Sequence, residues 1–243
     1  MLARLRVSYA ASRASSLPRI ALILPWKTIM NYLPLILFFA LPCALATDDG
    51  EPLVINGCTI AEASQCPNAD LRGADLSNQD LRKMNLAGAD LRDANLRHAR
   101  LDLANLEKAR LQNATLTRAS LQQTNLRLAD LGGAQLQAVQ GWGLFAQGAQ
   151  FEGANLSAAY LQFARLSGAK LHNVNLQAAD LEMTFLNKAD LQGADLRDAN
   201  LQETKFGASN LANANLTGAR HPYANFQDSN MQGCVACPGG WDD

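Results

Sequence analysis

Apolar residues recur with a period of five along most of the chain. With repeat centres at 71, 76, 81 and onward to 231, 26 of the 33 central positions are Leu and three are Phe. The position two residues before each centre is Ala in 23 of the 33 repeats. The three positions between these apolar ones are mostly polar. The pattern therefore predicts a repeating structure in which two residues of every five face inward.

A period of five fits neither regular secondary structure element. On an α-helix five residues turn through about 140°, which would spread the Leu residues over every face. On a flat strand successive Leu residues would alternate between the two sides. The pattern is satisfied if the chain turns a corner in every repeat, so that four repeats close a coil. Coils stacked through parallel backbone hydrogen bonds would lie about 4.8 Å apart, which predicts about eight coils in a rod roughly 40 Å long.

Two of the clearest repeats are Ala89-Asp90-Leu91-Arg92-Asp93 and Ala194-Asp195-Leu196-Arg197-Asp198. In these residues the chain resembles the pentapeptide-repeat family, whose motif is A(D/N)LXX. The resemblance implies an all-β fold, a right-handed quadrilateral parallel β-helix or solenoid. Asp or Asn before Leu suits a corner, because its side chain can accept a bond from nearby backbone. Residues one coil apart should stack, which predicts a ladder of Asn85, Asn105 and Asn125.

The beginning of the chain differs in charge from the rest. Residues 1–46 contain five basic and no acidic residues, whereas residues 47–243 contain 22 acidic and 16 basic residues, a net charge of −6. The apolar run Leu33–Leu41 is followed by Ala44-Leu45-Ala46, the pattern of a secretory signal peptide cleaved after Ala46. The run is short for a transmembrane helix and contains Pro34. An uncleaved N-terminal anchor is the alternative interpretation.

This leader predicts an exported protein with no stable membrane insertion after signal cleavage. The periplasm of a Gram-negative bacterium is the expected compartment, and the thylakoid lumen is the alternative. The basic leader is unusually long, so translation starting further along the chain and a separate transit-type element both remain open.

Both ends of the repeat are expected to be capped, because the open ends of a β-helix expose unpaired strand edges. We assign residues 47–68 to an N-terminal cap, 69–231 to the repeats and 232–243 to a C-terminal cap. Within the first cap, Thr59-Ile60-Ala61-Glu62 has the pattern of a capping box and predicts a short helix ending near Pro67.

Four cysteines lie outside the leader, two at each end of the repeats. Three pairings are possible in principle. The two ends of a rod roughly 40 Å long are too far apart for a disulfide, whose Cα atoms lie within about 7 Å. We therefore expect the disulfides Cys58–Cys66 and Cys234–Cys237, which suit an oxidising compartment. The same distance excludes one zinc site built from all four.

The sequence offers no convincing catalytic, metal or cofactor site. The three His residues, His98, His172 and His221, fall on different sides or several coils apart, and none accompanies a nucleophile or a set of ligands. The many Asp residues follow the repeat and are expected at corners and solvated faces. We therefore predict a protein that is not an enzyme. The acidic body also argues against binding of nucleic acid.

The segment 139–148 departs from the repeat, because Gly141 and Ala146 replace two central Leu residues. Its length still equals two repeats, so the register is kept on either side. The core is underfilled here unless Val139, Leu144, Phe145 or Phe151 compensates, and we predict a local kink or bulge.

One group of residues breaks the expected polarity of the surface. In the family's geometry the residue before each Leu and the two after it face outward, where large apolar side chains should be rare. Six such residues fall on neighbouring sides in adjacent coils, which makes them a candidate partner site. They are Trp142, Phe145, Tyr160, Phe163, Met183 and Phe185. A structural role in covering the irregular segment 139–148 is the alternative.

These observations favour an exported scaffold rod that binds a protein partner still to be identified. The alternative comes from family members that resemble duplex DNA in shape and charge and protect DNA gyrase from quinolones in the cytoplasm. Ten basic residues within 69–128 interrupt any acidic stripe and argue against that alternative. The short C-terminal cap favours a monomer, or a weak side-by-side dimer through the aromatic residues.

Overall fold

The computed structural model describes residues 52–239, and the predicted signal peptide lies outside them. The described chain forms a parallel β-helix in which each residue of a side pairs with the residue 20 positions further on. These parallel bridges run without a gap from Gln65↔Asn85 to Asn215↔Val235. The coil therefore begins about one repeat before residue 69 and continues one repeat beyond residue 231.

Each five-residue repeat forms one side and one corner of the coil. The central Leu and the residue two before it point inward and are buried, whereas the residue before Leu and the two after it face solvent. At the corner the second of the two turn residues has positive φ, as at Asn78 (60°) and Lys83 (57°), and the following N–H bonds back to the central carbonyl. A positive φ at the second turn position is the signature of a type II turn.

The residue before Leu supports this corner as predicted. The Asp70 carboxylate accepts a bond from the backbone N–H of Arg72, and Asp75 accepts one from Ser77 in the same way. The predicted Asn ladder is also confirmed, because Asn105 donates to Asn85 and Asn125 donates to Asn105 through their side-chain amides. The ladder is half-buried rather than fully exposed.

The interior is a continuous column of Leu and Ala side chains. Where Thr replaces Ala, its hydroxyl is buried and donates to a carbonyl of the preceding coil, as from Thr124 to Leu101 at 2.7 Å and from Thr184 to Leu161 at 2.8 Å. This bond satisfies a polar group that would otherwise be buried at a cost. Near the C-terminal end Phe206 and Phe226 stack with ring centroids 4.7 Å apart.

The predicted kink at 139–148 is wrong. The bridges Ser120↔Gln140, Gln140↔Tyr160 and Phe145↔Arg165 continue the ladder through this segment. The core stays filled because side-chain volume moves from the central position to the one two residues before it. Val139 stands before Gly141 and Leu144 stands before Ala146, and both Val139 and Leu144 are fully buried.

The predicted N-terminal helix is also wrong, because two short antiparallel strands occupy this region. Strand β1 is Val54–Ile55 and strand β2 is Cys58–Thr59, with Ile55 opposite Cys58. Asn56 and Gly57 connect them with positive φ at both residues, the geometry of a type I′ hairpin. Thr59 pairs with Val54 in this hairpin and therefore does not cap a helix.

Glu62 does not close a capping box either. Its carboxylate contacts Arg82 at 2.9 Å and Lys83 at 2.8 Å, one coil further on.

The two expected cysteine pairs lie at disulfide distance. The Cα atoms are 5.6 Å apart for Cys58 and Cys66 and 5.8 Å apart for Cys234 and Cys237. Cys66 stands at a central position of the repeat, and Cys234 stands at the position that is usually Ala. Within residues 52–239, no helix is long or apolar enough to span a bilayer.

Candidate functional site

The six predicted surface residues gather around one corner of the coil, and we call them the aromatic patch. Trp142, Phe163 and Met183 lie on this corner in three successive coils, joined by backbone bonds such as Gly143 N–H to Gln162 O at 2.9 Å. Tyr160 lies on the side that leads into the corner. Phe145 and Phe185 lie on the side that follows it. The patch therefore covers one edge of the rod over three coils.

The patch is accessible to a partner. The exposed fractions of Trp142, Tyr160, Phe163 and Phe185 lie between 41 and 47%, and Phe145 and Met183 are partly covered. Trp142 packs on Phe163 with ring centroids 5.9 Å apart at a tilt of 58°. The patch side chains are thus half-buried among their neighbours. A pre-ordered apolar surface loses little side-chain entropy when it is covered.

Cations and aromatic rings alternate on the side that follows the corner. The bridges place Phe145, Arg165, Phe185 and Lys205 one above another in successive coils. The guanidinium carbon of Arg165 lies 5.3 Å from the centroid of the Phe145 ring, and that of Arg127 lies 4.9 Å from it. Both distances fall within the range of cation–π attraction. The alternation begins where the Asn ladder ends, at Asn125.

Two shallow grooves open on either side of Arg165. The first, of about 220 Å³, is lined by Trp142, Phe145 and Phe163 together with polar residues. The second, of about 290 Å³, is lined by Gln147, Arg165, Ser167 and Phe185. The side-chain oxygen of Gln147 is buried there without a hydrogen-bond partner in the described chain. The grooves give the patch a shape into which side chains of a partner can insert.

The repeat itself is readily matched to a family, with pentapeptide repeats found over residues 69–107, 104–139, 143–173, 169–207 and 209–235. The chain belongs to the pentapeptide-repeat family. The stacked parallel coil agrees with the right-handed β-helix that membership of the family implies. No curated protein sequence matches the chain.

Several solved structures of the family are similar to this chain. HetL of the cyanobacterium Nostoc, involved in regulating heterocyst differentiation, is 32% identical over 70% of this chain and 88% of its own, with a TM-score of 0.28. QnrB1, a plasmid-mediated fluoroquinolone resistance protein, is 20% identical over 70% and 90%, with a TM-score of 0.39. A thylakoid-lumen protein of Arabidopsis thaliana is 27% identical over 55% and 69%, with a TM-score of 0.20.

The sequence prediction of the patch was incomplete. Leu103 is exposed on the same corner as Phe163, and Leu128 is exposed on the corner next to Phe145. Leu128 packs under Gly148, where an added Cβ would lie 2.9 Å from its Cδ2 atom. Neither Leu occupies a central position of its repeat. A search for large apolar residues at the outward positions would therefore have found both. Arg127, a further member, is visible only through its contact with Phe145.

Two of the patch residues have a backbone conformation that disfavours large side chains. Phe163 has φ of 60° and Met183 has φ of 54°, because each is the second residue of a corner. Gly and Asn are the residues that take this conformation at least cost. The corner imposes the φ value, because residues at the same turn position elsewhere on the rod, such as Lys83 and Arg118, have it too. The positive φ is therefore a property of the fold and does not distinguish the patch.

The three His residues do not come together. His98 and His172 lie on different corners, and His221 packs edge-on against Phe226 with ring centroids 6.1 Å apart. His172 bonds through Nε2 to Asp190. Among residues 52–239 there is no group of three or more His, Cys, Asp or Glu side chains placed to hold a metal ion.

Four aspartates of the rod surface form close pairs with the arginine two residues further along the chain. Arg72 binds Asp70 through two hydrogen bonds and lowers the pKa of that carboxyl group to about 2. Asp80, Asp90 and Asp195 have lowered pKa values for the same reason, each paired with the Arg two residues further on. These carboxylates are held in their charged form, which suits a corner support rather than proton transfer.

Proposed function

We propose that the protein is an exported, non-enzymatic rod that binds a protein partner through the aromatic patch. The observation that carries this proposal is the gathering of four half-exposed aromatic side chains around one corner over three coils. Exposed apolar patches of this kind mark interaction sites on soluble proteins, and aromatic residues are enriched at the centres of interfaces. The signal-like leader and the two cysteine pairs support export.

In contrast to the aromatic patch, the opposite side of the rod has no aromatic residues at its outward positions within residues 52–239. Its outward positions from Asp75 to Asn215 are Asp, Asn, Thr or Gln in every coil. A fold that needed aromatic cover for stability would show it on more than one side. The restriction of exposed aromatic residues to one edge therefore favours a role in binding a partner protein.

The patch is tested by replacing Phe163 and Phe185 with Ser. We expect the double variant to keep the fold and to lose the partner in affinity capture from the native compartment. The matched control replaces Val235, which is 52% exposed and lies on the opposite side of the rod, with Ser and should retain the partner. Unchanged capture by the double variant would refute the role of the patch.

Export and processing are tested by cell fractionation. We expect processed protein with oxidised cysteines in the periplasmic or lumenal fraction. Unprocessed cytosolic protein with reduced cysteines would contradict this part of the proposal. Binding to DNA gyrase would then become the better hypothesis, and a supercoiling assay with quinolone would test it.

The DNA-mimic alternative has weaker support. A rod that imitates DNA needs a continuous acidic surface, whereas the outward positions of the sides carry Arg100, Arg110, Arg165, Lys170 and Lys205.

A further inference from the structure

Five successive layers of one side of the rod carry positive charge and no acid, between Glu107 in the layer before them and Asp228 in the layer after them. We call this stretch the basic wall and define it as residues 125–128, 145–148, 165–168, 185–188 and 205–208, five layers that stack through backbone bonds such as Gly148 N–H to Ser167 O. The wall contains four basic and no acidic residues, namely Arg127, Arg165, Lys188 and Lys205. The rest of the chain beyond the leader is acidic overall.

The four cations of the basic wall have no ionic partner within residues 52–239. Most other Arg residues of the coil are paired with acids, as Arg72 is with Asp70 and Arg197 is with Asp195, but none of the four forms an ion pair in that range. Arg165 and Lys188 are exposed, and Arg127 and Lys205 are half-buried. Unpaired cations beside apolar grooves indicate a partner that supplies negative charge.

We infer that the basic wall and the adjoining aromatic patch bind an acidic segment of a partner protein in the polyproline II conformation. This inference rests on the proposed function and specifies the chemistry of the partner. The carboxylates of the segment pair with Arg165 and Lys205, while its apolar side chains enter the two grooves beside Arg165.

The spacing of Phe145 and Phe185, which line the first and the second groove, selects the conformation of the segment. Phe145 and Phe185 are two coils apart, a separation of about 9.6 Å at the usual strand spacing. A polyproline II helix repeats every three residues and rises about 9.3 Å per turn. Side chains three residues apart thus lie beside Phe145 and Phe185 from the same face. In an extended β-strand, residues three apart point to opposite faces and cannot do so.

The same features disfavour the other classes of occupant. A second copy bound by twofold symmetry through this surface would bring Arg165 against Arg165 or another cation of the wall. Single-stranded nucleic acid needs free ring faces for stacking of bases, but two guanidinium groups already lie over the Phe145 ring. The concave grooves suit inserted side chains better than a flat bilayer surface.

The inference is tested by fluorescence polarisation with the purified mature protein. The probe is a labelled peptide with proline at every third position and glutamate at the two positions between. We expect saturable binding that weakens as salt is added, since surface ion pairs are screened. A peptide with lysine in place of glutamate, and one of the same composition with its prolines clustered, should bind at least roughly tenfold more weakly.

Charge-reversed variants locate the binding site. Arg165→Glu should weaken binding of the glutamate peptide by roughly tenfold or more, with Lys205→Glu showing a smaller loss of the same sign. Arg118→Glu is the matched control, because Arg118 is exposed, has no ion pair in the described range and lies on a different corner. The control should stay within about twofold of the wild type. Circular dichroism verifies the fold, and Arg165→Gln provides a milder variant.

Three outcomes overturn the inference. They are the absence of saturable binding up to about 1 mM peptide, equal binding of the lysine peptide, and oligothymidylate binding more tightly than the glutamate peptide. If Phe163→Ser with Phe185→Ser abolishes partner capture while Arg165→Glu does not, the patch remains a docking site and the acidic peptide is wrong. If the aromatic substitutions also have no effect, the proposed function itself fails.

Discussion

Leu161 fills the space that a side chain at Gly141 would occupy, because a Cβ added to Gly141 would lie 2.8 Å from Leu161 Cδ2. Restoring the repeat by Gly141→Leu should therefore overpack the core and lower the free energy of unfolding by about 1–3 kcal/mol. Denaturant unfolding would measure the change. Adding Leu161→Ala should recover part of the loss.

The matched control for this prediction is Gly153→Asn. Gly153 has φ of 64° and open space around its Cβ position, so Asn should be tolerated there. A Gly141→Leu variant that is more stable than the wild type would mean that the interior has room at this coil.

Truncation of an aromatic residue should cost much more stability inside the rod than on its surface. Phe151 is fully buried, and Phe151→Ala should cost about 3–5 kcal/mol of stability. Phe163 is 44% exposed and has positive φ, so Phe163→Ser should change the unfolding free energy by less than about 1 kcal/mol. Thermal unfolding of the two variants compares them directly. A large loss in Phe163→Ser would show that the patch serves the fold.

Stability should fall in acid below the ordinary pKa of Asp. The pKa of Asp70 is lowered from 3.8 to about 2 by its bonds with Arg72, so the unfolded chain binds the proton first as the pH falls. The stabilisation is therefore complete above about pH 4 and is lost toward pH 2. Denaturation midpoints across this window measure the slope. Replacing the paired arginines with Gln should reduce the dependence of stability on pH in this window. These arginines are Arg72, Arg82, Arg92 and Arg197.

The control for the acid prediction is Arg118→Gln, which removes a positive charge that has no carboxylate partner among the described residues. It should leave the slope between pH 4 and 2 unchanged. An equal flattening in the control would assign the effect to net charge rather than to the pairs.

The proposed export predicts that both cysteine pairs are oxidised and stabilise the ends of the coil. Replacing Cys58 with Ser and Cys66 with Ala should lower the unfolding free energy by about 2.5 kcal/mol on loop entropy alone. The shorter loop between Cys234 and Cys237 should contribute less, about 1.5 kcal/mol. Alkylation under native, non-reducing conditions followed by intact mass measurement counts free thiols. Labelling of all four would contradict the pairing.

The interior and the corners could be predicted because each repeat carries its own signal. The positions of Leu and Ala predict which residues face inward, and the Asp or Asn before Leu predicts where the chain turns. The N-terminal hairpin was missed because two local signals compete there. Asn56-Gly57 is a strong hairpin turn, and Thr59 to Glu62 has a helix-capping spacing that the neighbouring coil overrides by pairing Glu62 with Arg82.

The irregular segment and the surface were harder for a different reason. The sequence shows that Gly141 lacks a side chain, but only packing shows that Val139 and Leu161 take up the space. The aromatic patch followed from the coil length, whereas the role of Arg127 depended on a side-chain contact that no spacing reveals. Features that recur in every coil could be predicted from the sequence. A packing change in which one side chain fills the space left by another could not.

The unbroken register through 139–148 shows that the core and the surface repeat with different periods along the sequence. The interior repeats nearly the same Leu and Ala pattern every five residues, apart from compensations such as Gly141 with Leu161. The alternation of Phe145, Arg165 and Phe185 survives only shifts of 20, the spacing of the bridged residues. Deleting one repeat between them would keep most of the interior apolar but would place the rings on different sides. The proposed recognition surface can thus be lost or relocated by a quarter turn while most of the core pattern is kept.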